Sequence, residues 1–159
     1  MSTNNIAFTA PINPAGAGPT LKREQVWAAL RLKIRSAETF VPQAIESTTV
    51  VSESTDPNGN PVTVRDIIFT ADKRKVRETV TAYEPSRVQF IQPDGSSVNN
   101  IVSEGANGEL FMTYTFEWRH PDASKEELAA LLEKEKAMSK VAVEGTITAL
   151  HQLAKEGKI

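Results

Sequence analysis

Residues 111–121, FMTYTFEWRHP from Phe111 to Pro121, are the most aromatic stretch of a chain that is only 6% aromatic. Met112, Tyr114, Phe116 and Trp118 share one parity, and Thr113, Thr115, Glu117 and Arg119 share the other. Successive side chains of an extended chain point to opposite faces, so this segment reads as a β-strand with rings on one side and polar groups on the other. The ring face requires an apolar partner, and the identity of that partner decides the fold.

The chain just downstream supplies it. Ser124 followed by Glu127 forms a capping box, and Lys125 to about Lys155 contains no proline, so this segment predicts one helix. At 1.5 Å per residue it is about 45 Å long, enough to cross a small sheet. Its expected inner face is Leu128, Leu131, Leu132, Met138, Val141, Ala142, Gly145, Ala149, Leu150 and Leu153. The centre of that face is small, and Gly145 costs about 1 kcal/mol of helix propensity. Either another element approaches closely there or space is kept for a ligand.

Upstream, residues 44–120 are rich in Val, Thr, Ile and Phe and are interrupted by DPNGNP, TADK, YEPS, QPDGS and EGANGE. This predicts six strands in an antiparallel meander. Pro93-Asp94-Gly95 suits a type I turn closed by a left-handed glycine, and Asn107-Gly108 suits a two-residue hairpin turn. Asn5 to Ile12 reads as a first strand, ended by PINPAGAGP. Thr20 is then placed to cap a helix in LKREQVWAALRLKIRSAETFVP, where Trp27, Leu30, Ile34 and Ala37 recur at helical spacing, with a break near Ser36 and an end at Pro42. Lys22, Arg23, Arg31, Lys33 and Arg35 read as its solvated face, with contact to a membrane or an acidic carrier protein as the rival reading. The expected fold is α+β: a curved seven-stranded antiparallel sheet around a long C-terminal helix, with two short helices after the first strand, in one domain over residues 1–159.

Composition excludes several functions. The formal charge of −2 and pI near 5.8 give no electrostatic reason to expect nucleic acid or an anionic membrane as partner. No signal-peptide pattern is present, and no window approaches the roughly 18 apolar residues of a membrane span. Zero cysteines remove disulfides, zinc thiolates and a cysteine nucleophile, and fit a reducing cytoplasm. No GxSxG, HExxH, P-loop or dinucleotide fingerprint occurs. His120 and His151 are too few for a transition-metal site, so neither a metal nor another cofactor is expected.

The hairpin at TADK carries the sharper chemistry. With a two-residue turn at Ala71-Asp72, Ile67 falls opposite Val76 and Arg65 opposite Glu78, on the face that also holds Val80 and Ala82. One reading makes Arg65 an anchor for a ligand oxyanion and Glu78 a proton carrier. The other makes them an ion pair at the exposed end of the sheet, worth at most about 1 kcal/mol. The next hairpins conflict: a three-residue loop at 93–95 pairs Val88 with Asn100 and turns Asn100 and Glu104 inward, whereas a two-residue turn at 107–108 pairs Ile101 with Tyr114, which requires a bulge. Tyr114 and Trp118 bring hydrogen-bonding groups to the ring face. Candidate catalytic residues are thus Arg65, Glu78 and Tyr114, with Phe90, Asn100, Met112, Phe116 and Trp118 as candidate ligand contacts.

The phrases LKREQVWAALRLKIRSAETFVP, VRETVTAYEPSRVQF and FMTYTFEWRHP, in this order of elements, resemble the helix-grip superfamily (Bet v 1-like, SRPBCC), which includes the birch-pollen allergen, START lipid-binding domains and aromatic polyketide cyclases. More narrowly the chain resembles the AurE/AtaL-like branch. The resemblance implies the fold over nearly the whole chain, and a role in finishing polyketide-type products, including closure of a lactone or pyrone ring. The expected activity is a cofactor-free cyclase acting on a lipophilic or polyketide-like small molecule. An acyl carrier domain and a second copy of the chain are the further partners this reading admits. Its rivals are a non-catalytic carrier of lipophilic ligands and a co-chaperone-like interaction module.

Overall fold

The computed structural model describes residues 2–159. Among these, seven strands form one antiparallel sheet: β1 (Thr3–Pro11), β2 (Ile45–Thr55), β3 (Pro61–Phe69), β4 (Lys75–Tyr83), β5 (Arg87–Ile91), β6 (Ser97–Glu104) and β7 (Leu110–Arg119). Helix α1 (Arg23–Arg35) and a 3₁₀ turn (Ala37–Thr39) lie between β1 and β2, and α2 (Lys125–Lys155) follows β7. The strand order is β1-β7-β6-β5-β4-β3-β2, a meander to which β1 adds beyond β7. This is the expected architecture, with the second short helix reduced to a single 3₁₀ turn. Helix α1 begins after Lys22 rather than at Thr20, because the Gln25 side chain accepts from the Lys22 N–H at 2.9 Å. No helix among the described residues is long and apolar enough to cross a membrane.

The loops settle the register. Gly95 N–H donates to Gln92 O at 3.0 Å and Gln92 N–H to Ser96 O at 2.9 Å; Gly108 N–H donates to Gly105 O at 3.0 Å and Gly105 N–H to Glu109 O at 2.7 Å. Both are three-residue loops closed by a left-handed glycine, with φ of 88° and 81°. The two-residue reading of Asn107-Gly108 is therefore one residue short. With the third loop residue included, Asn100 pairs with Tyr114 and Ile101 with Thr113, and both loops turn the same parity of β6 inward. The irregularities lie instead in β2, between Ile45 and Ser47 and between Val50 and Ser52, where they add bend to the strand. Glu104 ends exposed beside Arg23, at 3.4 Å, and not in the interior.

Helix α2 starts at the expected capping box: Ser124 N–H donates to Glu127 Oε2 at 2.7 Å, and Glu127 N–H to Ser124 Oγ at 3.1 Å. Its rotation differs from the expected one. Met138 and Val141 are 43% and 40% exposed, and the buried set is Ser139, Val143, Thr146, Ile147, Leu150 and Leu153. The Ser139 and Thr146 hydroxyls donate to carbonyls of the preceding turn, Lys136 O at 2.6 Å and Ala142 O at 2.8 Å, which lets them be buried without loss. An inner face chosen by hydrophobicity alone passes them over. Gly145 marks close approach rather than free space, since a Cβ there would lie 3.3 Å from the Phe40 carbonyl.

Candidate functional site in the sheet–helix interior

The inward residues form rungs across the sheet. Ala82, Val88, Asn100, Tyr114 and Phe8 are successive partners on one rung, and Val80, Phe90, Val98, Phe116 and Ile6 on the next. Arg65 lies directly opposite Glu78 one step further along. Apolar neighbours drive these faces inward, and the polar members are carried with them.

Arg65 and Glu78 are only 2% and 5% exposed at their side chains, so the pair is not at an exposed sheet end. Arg65 Nε and Nη2 donate to Glu78 Oε1 at 3.0 and 2.8 Å. Nη1 donates to the carbonyls of Lys33 and Ile34, both at 2.9 Å. Arg65 thus caps the C-terminus of α1, where carbonyls without helical partners and the negative end of the helix dipole both favour a cation. Four of its five N–H groups are committed, leaving one on Nη2. Its guanidinium also stacks 4.8 Å from the Phe90 ring centroid.

Lys33 corrects the expectation of a solvated basic face. It is 5% exposed, and its Nζ donates to Asn100 Oδ1 at 2.7 Å. The ammonium position lies 5.1 Å from the Phe90 centroid and 4.7 Å from that of Tyr114. Burial, and then the nearby Arg65 charge, push its pKa down to about 7 against the opposing pull of Glu78. The signal was positional: Lys33 lies three residues after Leu30 and four before Ala37 in the stripe Trp27, Leu30, Ile34, Ala37, on the same side of the helix, and the charge of the residue outweighed its place in the pattern.

The Tyr114 hydroxyl lies 2.6 Å from Thr146 Oγ1, whose own proton goes to Ala142 O. Tyr114 is therefore the donor in that pair, and its oxygen keeps lone pairs for other donors. Burial raises its pKa well above the usual phenol range, although Thr146 and Arg65 oppose the shift.

These groups border an interior cavity of about 110 Å³. Lys33, Arg65, Glu78, Gln92 and Tyr114 supply its polar wall, while Phe90, Phe116, Trp118 and Ala142 supply much of the apolar one. Its remaining border comes from the segment around Val41, Ala44 and Ile45 and from Ile67, Phe69 and Val98. Met112, fully buried, packs into the core and does not reach the cavity. Asn100 stands behind Lys33. Like Met112 it is not part of the cavity border, contrary to its expected role as a ligand contact, and its Nδ2 is buried without a partner; Gln92, which does border the cavity, has an unpartnered Nε2 that can donate to a ligand oxygen. A larger groove of about 440 Å³ runs along α1 by Trp27, but its charged Arg35 and Glu53 are half-exposed and bonded to each other. His120 contacts Glu135 at 3.2 Å and His151 contacts Ile12 O at 2.7 Å, both away from the cavity. Among the described residues no three His, Asp or Glu side chains converge on a metal geometry.

A family model described as AtaL, acetylaranotin biosynthesis cluster protein L, matches residues 6–157. No curated protein matches the chain at the sequence level. Among solved structures, the di-domain ARO/CYC StfQ from the steffimycin biosynthetic pathway superposes with a TM-score of 0.68 at 10% identity, over 98% of this chain and 51% of that one. The chain therefore spans about half the length of StfQ. Ara h 8.0201 superposes with a TM-score of 0.53 at 15% identity, over 97% and 99% of the two chains. An uncharacterized protein from Bacillus thuringiensis superposes at 0.55 and 15% identity, over 91% and 98%. These likenesses establish the helix-grip, Bet v 1-like fold.

Proposed function

The chain belongs to the AtaL family, acetylaranotin biosynthesis cluster protein L, and from that premise we propose that it is a cofactor-free cyclase of secondary metabolism, closing a lactone or pyrone ring on a polyketide-type chain. The observation that carries this reading is the convergence of Lys33, Arg65, Glu78, Gln92 and Tyr114 on one small cavity otherwise walled by aromatic and aliphatic side chains. A carrier of neutral lipids gains nothing from burying such groups, each of which must be paired or remain costly. At about 110 Å³ the cavity is smaller than the roughly 300–1,000 Å³ that encloses a drug-sized ligand. It suits the reacting end of a chain whose remainder leaves past Phe116 and Trp118.

In the proposed step a ligand hydroxyl or enol oxygen attacks an acyl carbon held beside it. Confinement supplies much of the acceleration by replacing a search with a fixed approach. The free N–H on Arg65 Nη2, with Gln92 Nε2, meets the oxyanion that develops. Glu78 Oε2, which carries none of the bonds to Arg65, takes the proton of the attacking group and returns it to the leaving group. Tyr114, a neutral phenol, orients the ligand through its free lone pairs. Phe90 walls the reacting end, and Asn100 holds Lys33. The acyl group arrives as a carrier-domain thioester in the cytoplasm, and since the cavity lies within one chain, a homodimer is not needed for the step.

Incubating catalytic amounts of protein with linear polyketide acids and thioesters of several lengths tests this. Many turnovers are expected, and Glu78→Gln lowers kcat at least tenfold with the fold retained by circular dichroism. Stoichiometric binding without acceleration at any chain length would establish a carrier instead.

A further inference from the structure

We propose that Lys33 is a nucleophilic amine that captures a ketone or β-dicarbonyl carbon of the ligand as a Schiff base. This deepens the preceding reading, since it rests on a carbonyl-bearing, polyketide-type chain entering the cavity.

Lys33 is the one buried lysine; the other nine, from Lys22 to Lys158, are all exposed. An ammonium has three protons to place. Lys33 Nζ has one hydrogen-bond acceptor, Asn100 Oδ1, and among the described residues no carboxylate within ion-pair distance. A neutral amine fits this setting better: it gives one N–H to Asn100 and keeps its lone pair for the cavity that Lys33 borders. The elements around it divide in their effect. Arg65 on β3 opposes its charge and Glu78 on β4 favours it. The ring faces of Phe90 on β5 and Tyr114 on β7 also favour charge, whereas Asn100 on β6 is a neutral acceptor. Desolvation is the largest influence, and with its pKa near 7 about half of the amine is free at neutral pH. An exposed lysine titrating near 10.4 is on the order of a thousandfold poorer in free amine there. Desolvation beside a second cation is a recognised way to activate a lysine nucleophile.

The step balances without an oxidant or reductant. The Lys33 lone pair forms the C–N bond while the carbonyl π pair moves to oxygen, where the second N–H of Arg65 Nη2, beyond the one given to Glu78, and the unpartnered Nε2 of Gln92 are the donors at hand. Glu78 carries two protons in turn from the nitrogen to the oxygen, the first turning the oxyanion into the carbinolamine hydroxyl and the second letting that hydroxyl leave as water while the nitrogen lone pair forms the C=N bond. Amine and carbonyl become Schiff base and water, and a β-dicarbonyl adduct tautomerises to a conjugated enaminone.

The test uses the intact protein with limiting 2,4-pentanedione, read by near-ultraviolet absorbance of the enaminone and by peptide mass mapping from about pH 5 to 10. The adduct is expected on Lys33 alone, with a midpoint near pH 7, and lost in Lys33→Arg. Adducts only at the exposed lysines, or at Lys33 only near pH 10, would overturn the proposal, and both results come from the wild-type chain whether or not the variant folds. Ring closure proceeding at the wild-type rate in Lys33→Arg overturns the covalent step while leaving the cyclase reading intact. Capture at Lys33 with no ring closure on any chain supports the amine and removes the cyclase.

Discussion

Lys33 and Arg65 illustrate what is and is not legible at the scale of a residue. Arg65 opposite Glu78 followed from counting back through one turn, because side-chain parity and strand pairing are properties of the backbone. Lys33 escaped because its residue type argued for water while its helical position argued for the interior, and the position prevailed. The depressed pKa carries a stability signature. The unfolded chain holds a proton on this amine up to about pH 10.4, whereas the folded chain releases it near 7, so unfolded protein binds more protons across that window. The Lys33 contribution to stability therefore rises with pH from about 7 to 10. Lys33→Met removes this rise, so urea melts at about pH 7 and pH 9 should show the wild type gaining on the variant by up to roughly 1–3 kcal/mol. A difference that is flat with pH would contradict the buried, weakly basic amine.

At the scale of elements, strands and their turns were the most legible and the rotation of α2 the least. Turn residues signal a hairpin but do not by themselves distinguish a two-residue from a three-residue loop, and one residue of error exchanges the faces of a strand. Asn107-Gly108 was such a case, and the ladder from Gly105 N–H to Glu109 O resolves it. The closing glycine bears the left-handed conformation, and nothing lies within 4 Å of where a Cβ would stand at Gly108. Gly108→Ala should therefore cost about 1–2 kcal/mol through the backbone alone. Gly108→Asn should recover most of it, since asparagine tolerates this region. Equal losses for both substitutions in thermal melts would point to a cause other than φ.

On the scale of the whole molecule, the order of elements and the ring-bearing wall of β7 could be inferred from the chain, whereas the cavity volume could not. That volume depends on how far Lys33 and Ala142 reach in from the two helices, a property of packing and not of pattern. Met112 belongs to the same strand face as Tyr114 and Trp118 yet serves the core, because the face extends beyond the cavity. Trp118 borders the cavity and Trp27 the outer groove. A ligand in the interior should therefore change tryptophan fluorescence in wild type and in Trp27→Phe but leave Trp118→Phe silent. A response that survives Trp118→Phe and disappears in Trp27→Phe would relocate binding to the groove. Finally, β1 pairs only with β7, Thr3 opposite Arg119 and Pro11 opposite Phe111, whereas every other strand ladder joins neighbours in the chain. During synthesis β1 leaves the ribosome before the other six strands of its sheet and is thus the last of them to find its place, waiting about a hundred residues with Ile6 and Phe8 uncovered. A stalled chain that stops before Phe111 has no site for it at all, and residues 3–11 are where a holding chaperone would bind and where aggregation of such fragments would begin.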